Sequence, residues 1–483
     1  MKNSCHALPF VKSFLLAICV LLASCGGGGG GAATSPVESN SPALTPSVST
    51  PLSAGYPGEP TSCSIADQRL WLNAYMQDQY FWNANLGTPN QSARSIDEYF
   101  RSLLFTPIDR YSFSQQEGQF TEFFNAGRRT GYGYSLAFPD ESQNTLKFRV
   151  IEPLSPASAA GLKRGDTLLA IDGFSASDIM NGALTSVTTA GITRTFTIET
   201  STGQAKTITL VSRNFSPSPV LVDRVVTSAN GSKVGYFAYQ DFTPSSLSAL
   251  GQTFNRFRAA NITELIVDLR YNSGGSVVVS RALASMIGGP SLEGQVFASI
   301  RYNPQNRNDD FDYLFTASPA SLPAAPLAGL AQVFFITSPN TASASELVIN
   351  SLFPFKKVVT VGATTFGKPY GFLPRSACDT TYSAVNFETF NAAGNGRFNN
   401  GIAATCSAPD DLSKALGDPT EARTAAALGF IQTSSCPVVR ASLQSRQFAD
   451  QQIRAQEATT NIASRRWLEP AFGEVSKPAM IAD

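Results

Sequence analysis

Histidine is all but missing from this sequence of 483 residues: the single one, His6, lies in an amino-terminal stretch that reads as a cleaved leader. A mature chain without imidazole cannot run a Ser-His-Asp relay, nor build a zinc site with histidine ligands. Charge is also scarce. Charged residues make up 15% of the chain, and 36 Lys plus Arg are balanced by 36 Asp plus Glu, so no global field draws in nucleic acid or anionic lipid. There is no Cys-x-x-Cys pair and no phosphate loop of the Walker kind, so no metal or nucleotide cofactor is expected. Apolar material is plentiful, with 43% hydrophobic and 10% aromatic residues. At about 150 residues per domain, the length predicts roughly three domains.

The amino terminus reads as an export signal. Lys2 and Lys12 accompany an apolar run from Phe14 to Ala23, too short for a bilayer core of about 30 Å. Leu22-Ala23-Ser24-Cys25 resembles a bacterial lipobox, so residues 1–24 are expected to be a lipoprotein signal peptide and Cys25 the lipidated residue. Residues 25–62 open with Gly26 to Gly31 and continue rich in Ser, Thr, Pro and Ala, the composition of a flexible tether. The expected product is an exported, membrane-anchored bacterial lipoprotein at the outer membrane or periplasmic side. Losing the leader removes two Lys and no acid, leaving a slight acidic excess. Cys5 and Cys19 leave with it, so Cys63, Cys378, Cys406 and Cys436 remain. An even number in an exported chain suggests two disulfides, with three connectivities open. We expect Cys378 with Cys406, closing a local loop, and Cys63 with Cys436, tying the two ends of the folded part together.

Residues 63–125 carry amphipathic spacing, as in Leu70, Leu72, Tyr75, Met76 and Tyr80, and predict a helical amino-terminal domain with no catalytic constellation. From Gly131 the pattern changes to short strands and glycine turns. Strands are predicted over 146–151 and 167–171, with a short helix between them started by Ser155-Pro156 and ended by Gly161. Residues 126–213 resemble a PDZ domain of the kind found inside bacterial proteases, most specifically from Ser155 to Gly173. That resemblance implies that the loop Gly131, Tyr132, Gly133 and Tyr134 binds a peptide's terminal carboxylate on backbone N–H groups.

Residues 233–372, within a domain expected over 214–440, alternate apolar strands with helical stretches, an α/β pattern. The strand Leu265 to Arg270 runs into Tyr271-Asn272-Ser273-Gly274-Gly275-Ser276, whose glycines let the backbone turn close to a ligand. A second strand, 332–337, leads to Thr341-Ala342-Ser343-Ala344-Ser345-Glu346 at the start of a helix, where N–H groups and the helix dipole favour negative charge. A third, 358–361, is followed by Phe366-Gly367-Lys368-Pro369. Three such loops at strand ends of one α/β region are where sites are built.

Together these residues resemble the carboxyl-terminal processing peptidases, the tail-specific serine protease family, in which a Ser-Ala-Ser-Glu stretch is followed after 25 residues by a Lys in Phe-Gly-Lys. Lys368 follows Ser343 by 25 residues, and the Asp-Leu-Arg-x-Asn-x-Gly-Gly stretch is matched from Asp268 to Gly275. The resemblance implies an α/β multidomain protein with a PDZ-like β-rich domain and a crotonase-like ββα serine peptidase core behind the helical amino-terminal domain; the pattern from Ala441 to Arg466 separately predicts a helix in a carboxyl-terminal segment over 441–483. It makes Ser343 the nucleophile and Lys368 its general base. A buried, neutral Lys is a base strong enough to activate Ser without His. The oxyanion then needs two donors, for which the amides of Ala344 and of Gly274 or Gly275 are candidates. Glu346 is a candidate accessory residue, against a plain capping role.

Two positions depart from the family. Many members carry Gly-Thr-Val-Gln after the Lys, with the Gln orienting it, and here the run is Pro369-Tyr370-Gly371-Phe372. Some carry an Asp 14 residues before the Lys, where this chain has Pro354. The expected partners are a protein or peptide substrate, a membrane through the lipid anchor and, as an open option, an adaptor protein, with no nucleic acid and no cofactor. Alternatives are a catalytically weak or inactive peptide-binding lipoprotein scaffold, and a hydrolase of a non-protein ester or amide.

Overall fold

The computed structural model describes residues 58–124, 126–137, 145–185, 187–437 and 479–481. The expected leader, Cys25, most of the tether and nearly all of the helical segment expected over 441–483 lie outside them; Ala479–Ile481, expected within that segment, form a strand paired with two others instead. No helix among the described residues is long and apolar enough to cross a membrane.

The central layer is a six-stranded sheet in the order Val220–Thr227, Lys233–Tyr239, Glu264–Asp268, Gln332–Thr337, Lys357–Gly362, Cys406–Ser407. Its first pair is antiparallel and the others are parallel. Strand side chains alternate between faces, and here both faces are covered. Phe237, Tyr239, Leu265, Val267, Val333 and Phe335 share a core with helices Leu247–Ala260, Val277–Gly288 and Ala344–Leu352. Tyr236, Ala238, Ile266, Phe334, Ile336 and Val361 pack on helix Ala422–Thr433. Double burial explains why Leu265-Ile266-Val267 and Val333 to Ile336 read as unbroken apolar runs. Because Glu264–Asp268, Gln332–Thr337 and Lys357–Gly362 are parallel, the loops after all three emerge at one end of the sheet.

A second sheet stands beside those loops, in the order Gly274–Ser276, Ala479–Ile481, Tyr370–Phe372, Val385–Phe390, Val296–Tyr302, Phe311–Leu314. A third β-rich unit contains Tyr134–Ala137, Leu146–Ile151, Thr167–Ile171, Thr193–Glu199 and Ala205–Val211, with a separate core of Phe148, Leu168, Phe196, Ile198 and Leu210. The strands expected over 146–151 and 167–171 fall there, and the helix between them is Pro156–Ala159, capped by Ser155 Oγ, which accepts the Ser158 N–H.

The amino-terminal helices Ile65–Gln79 and Ile96–Ser102 are likewise capped by serines, Ser64 and Ser95. They do not close a core of their own. Trp71, Tyr75, Met76 and Phe100 pack with Phe372, Tyr382 and Val385, and strand Phe113–Gln116 pairs with Thr380–Ser383. Two short helices have too little apolar surface to stand alone, and the stretch that follows Lys368 supplies the remainder.

The disulfides correct the expected pairing: Cys63 joins Cys378 and Cys406 joins Cys436, with Cα–Cα separations of 5.5 and 5.4 Å. Cys63 precedes the first helix and Cys378 sits at the turn between strands Arg375–Ala377 and Thr380–Ser383, so helix packing brings them together. Cys406 lies on the edge strand of the central sheet, beside which helix Ala422–Thr433 delivers Cys436. Sequence distance misled the expectation because the hydrophobic core, not the local loop, sets which thiols meet. Replacing Cys63 and Cys378 by Ser is expected to lower stability by about 2–5 kcal/mol, because their bridge spans a sequence separation of 315. Replacing Cys406 and Cys436, with a separation of 30, should cost less. Urea midpoints measure both, and non-reducing peptide maps should show the pairs stated.

Candidate active site

Ser343 immediately precedes helix Ala344–Leu352, at φ 60° and ψ −117°, with its side chain buried. A non-glycine residue in that region carries backbone strain and persists only where its surroundings impose it. Here they do. The Ala342 N–H and the Ser345 hydroxyl both donate to the Asn272 carbonyl, at 3.2 and 3.1 Å, and Thr341 Oγ1 donates to the Leu269 carbonyl at 2.8 Å. The loop before the helix is therefore stitched to the loop after Glu264–Asp268. Ser343 Oγ has no hydrogen-bond partner among the described residues. Ala344, as the first helical residue, has no intrahelical acceptor for its N–H.

Glu346 connects this Ser to Lys368. Its carboxylate is buried and accepts the Ser343 N–H at 2.9 Å and the Lys368 N–H at 2.8 Å on the same oxygen, Oε2. The other oxygen accepts the Gly367 N–H at 2.7 Å and the Thr365 hydroxyl. Four donors with no acceptor facing them fit the ionised carboxylate. Burial raises the Glu346 pKa, and these hydrogen bonds oppose the rise.

Lys368 is fully buried, and burial lowers its pKa well below that of a free lysine, while Asp109 and Glu346 pull the other way. Its Nζ lies 3.4 Å from the centre of the Phe372 ring. At the position where the resemblance leads one to expect an orienting Gln, this chain thus presents an aromatic face that tolerates positive charge while excluding water. The amino-terminal segment clamps the same loop. Tyr111 donates its hydroxyl to the Gly367 carbonyl at 2.8 Å, and Arg110 donates to the carbonyls of Phe366 and Asn399 at 2.9 and 3.1 Å.

The glycine loop is fixed by Asn272, whose amide donates to the Tyr239 carbonyl and whose Oδ1 accepts the Gly274 N–H at 2.9 Å. The Gly274 amide, expected as an alternative oxyanion donor, is therefore already engaged, which favours Gly275 of the two. A Cβ on Gly275 would lie 2.4 Å from the Phe242 carbonyl oxygen, and its φ is +139°, so only glycine fits. Behind the loop, Arg270 is buried against Asp268, Asp410 and a bidentate Glu421. Asp410 also takes Arg164 of the β-rich unit at 2.6 Å. Burial would raise the Asp410 pKa, but Arg423, Arg270 and Arg164 outweigh it and hold the group ionised.

The signature of peptidase family S41 matches residues 233–407, and that of the peptidase S41 N-terminal domain matches 67–113. Over these residues the chain carries the domains of peptidase family S41. It is 26% identical over 284 residues to carboxyl-terminal-processing peptidase 2, chloroplastic, of Arabidopsis thaliana, covering 56% of this chain and 51% of that one. It is also 26% identical over 299 residues to a carboxyl-terminal-processing protease of Picosynechococcus, covering 61% and 67% of the two chains. The chain thus spans about half the length of the Arabidopsis relative. A crystal structure of a candidate S41 protease from Bacteroides fragilis shares the fold, with a TM-score of 0.64 at 23% identity, covering 76% of this chain and 97% of that one.

The S41 match contains Ser343, Lys368, Gly274, Gly275, Ala344 and Glu346, which the loops bring to one end of the central sheet. The loop Gly131 to Tyr134 lies in the β-rich unit instead. Gly131 and Gly133 have positive φ, while Tyr132 and Tyr134 turn their side chains into its core. Asp109, Arg110 and Tyr111 escaped the sequence reading because their only signal is tertiary: they lie in a loop without a motif. No cluster of metal-ligating side chains occurs among the described residues.

Two substitutions at the S41 site should move stability in opposite directions. Glu346→Gln turns an amide NH₂ toward N–H donors and is expected to destabilise by about 1–3 kcal/mol. For Lys368, whose folded pKa is depressed, the unfolded chain binds the additional proton between the folded pKa and 10.5. Stability therefore rises with pH across that window and stays reduced below it. Lys368→Met should recover about 0.5–2 kcal/mol at neutral pH. Urea titrations at pH 7 and pH 10 measure both, with the gain from Met smaller at pH 10.

Proposed function

We propose that this chain is a serine peptidase in which Ser343 is the nucleophile and Lys368 its general base, acting on exported proteins or peptides from a lipid anchor at Cys25. The observation that carries the reading is the shared carboxylate oxygen: Glu346 Oε2 holds the amides of both residues beside each other, with Lys368 buried and Ser343 Oγ uncommitted. Ser343 Oγ bonds to the scissile carbonyl carbon while its proton passes to neutral Lys368 Nζ. The resulting oxyanion is met by the amides of Ala344 and Gly275. Lys368 returns the proton to the departing amine as the C–N bond breaks, and water, deprotonated by the same Nζ, releases the acyl group. Glu346 acts here as a positioning residue.

The β-rich unit serves in this proposal as a PDZ-like module that takes a substrate's carboxyl end. The positive φ angles of Gly131 and Gly133 support backbone recognition, since the tyrosines between and after them are committed to the core. Phe372 in the place of Gln favours one competing reading, a peptide-binding scaffold without turnover.

Labelling of the full, detergent-extracted chain with a fluorophosphonate probe separates the two. Adduct on Ser343, lost in Ser343→Ala and reduced at least about a hundredfold in Lys368→Ala, is the expected outcome. Folded protein that does not label, or labels equally without Lys368, overturns the dyad. The rate of labelling should rise with pH along one ionisation centred well below 10.5, as neutral Lys368 accumulates.

A further inference from the structure

One strand of the second sheet comes from far along the chain. Ala479–Ile481 lies between Gly274–Ser276 and Tyr370–Phe372 and pairs parallel to both, with Gly274 opposite Ala479, Gly275 opposite Met480, Ser276 opposite Ile481, and Phe372 opposite Ile481. Among the described strands it is the only link between these two neighbours. Adjacent strands stand about 4.8 Å apart. Its removal would therefore leave a slot one strand wide.

Both walls of that slot belong to the site. One is the glycine strand that carries the Gly275 amide, and it begins two residues after Asn272, which holds the Ser343 loop. The other begins at Tyr370, two residues after Lys368. Each wall is anchored from its far side. Gly275 bridges Phe242, whose N–H and carbonyl bond to the Gly274 carbonyl and the Ser276 N–H, at 3.1 and 2.7 Å. Tyr370–Phe372 pairs antiparallel with Val385–Phe390. A slot lined by main chain accepts any extended peptide, because the ladder bonds are sequence-independent and side chains only modulate them.

We infer that this slot is the strand-binding site for substrate and that Ala479–Ile481 is its intramolecular occupant, competing with substrate for the same main-chain bonds. The inference rests on the Ser343–Lys368 reading for the word substrate, and on strand pairing alone for the occupancy. A tethered strand competes at an effective concentration set by its linker, so it suppresses binding of a free strand without any affinity of its own being high. An incoming peptide must displace it.

The test uses the full chain, a chain ending after Pro478, and a full chain carrying Met480→Pro, which removes a ladder donor from the occupant. All three carry Ser343→Ala, and the probe is a fluorescein-labelled peptide with the sequence of residues 477–483, followed by anisotropy. Binding to the shortened chain and to Met480→Pro at least about tenfold tighter than to the full chain is expected. Equal binding to all three, or none to the two altered chains while they melt cooperatively, overturns the proposal. With Ser343 restored, fluorophosphonate labelling should be several-fold faster in both altered chains. Peptide discrimination without any labelling would sustain the occupancy and remove the dyad; labelling at one rate in all three, with equal peptide binding, would do the reverse.

Discussion

The site depends on one buried carboxylate. Three peptide N–H groups and one hydroxyl converge on Glu346, and two of the amides belong to Ser343 and Lys368, which lie on different loops. Each loop alone would be costly to order: Ser343 sits at a positive φ, and Lys368 lies where water cannot reach its amine. A charge-assisted hydrogen bond is roughly twice as strong as a neutral one, and four of them on a single rigid helical residue offset both costs. Glu346 can do this because it stands on the first turn of Ala344–Leu352, where the helix dipole favours an anion. The same location makes it look like an ordinary capping residue in the sequence.

A second charged cluster ties the end of the sheet that carries the Ser343 and Lys368 loops to the β-rich unit. Arg270 is saturated by Asp268, Asp410 and Glu421, so its position fixes the start of the glycine loop. Asp410 spans from Arg270 to Arg164, and Tyr271 donates to Asp410 between them. Removing one member of such a buried network leaves an uncompensated charge, which costs more than the pair itself contributes. The Asp-Leu-Arg stretch therefore reads as architecture: it aims Asn272, and Asn272 aims both Gly274 and the Ser343 loop.

What the sequence disclosed and what it hid divide along contact range. Strands 332–337 and 146–151, the helix opened by Ser155-Pro156 and the three loops were legible because each is encoded by neighbours within a few residues: apolar runs, a Ser-Pro start, glycine turns. Ser343 and Lys368 were legible through a spacing that resembled a family. The disulfide partners were not, because Cys63 meets Cys378 only through the packing of Trp71 and Tyr75 on the hairpin that carries Tyr382. Nor was the engagement of the Gly274 amide by Asn272, a contact two residues long that depends on Asn272 first being held by Tyr239. The role of the segment around Tyr111 was hidden for the same reason, since its hydroxyl reaches a carbonyl 256 positions away.

The second sheet adds a constraint that the loops alone do not. Its outer strands are joined by antiparallel pairing, and Gly371 has the Phe387 ring so close that a Cβ there would lie 2.0 Å from it. Glycine at 371 thus lets one wall of the slot press against its neighbour, as glycine at 275 lets the other press against Phe242. Each wall is thus also held from outside the strand between them. A gap held open from outside is indifferent to which extended chain fills it, and this is the property a peptidase needs if it is to bind many sequences by backbone and still place each carbonyl at one oxyanion donor. If the slot takes substrate as proposed, the packing that requires glycine at 275 and 371 and the breadth of peptides it would hold are consequences of the same two residues.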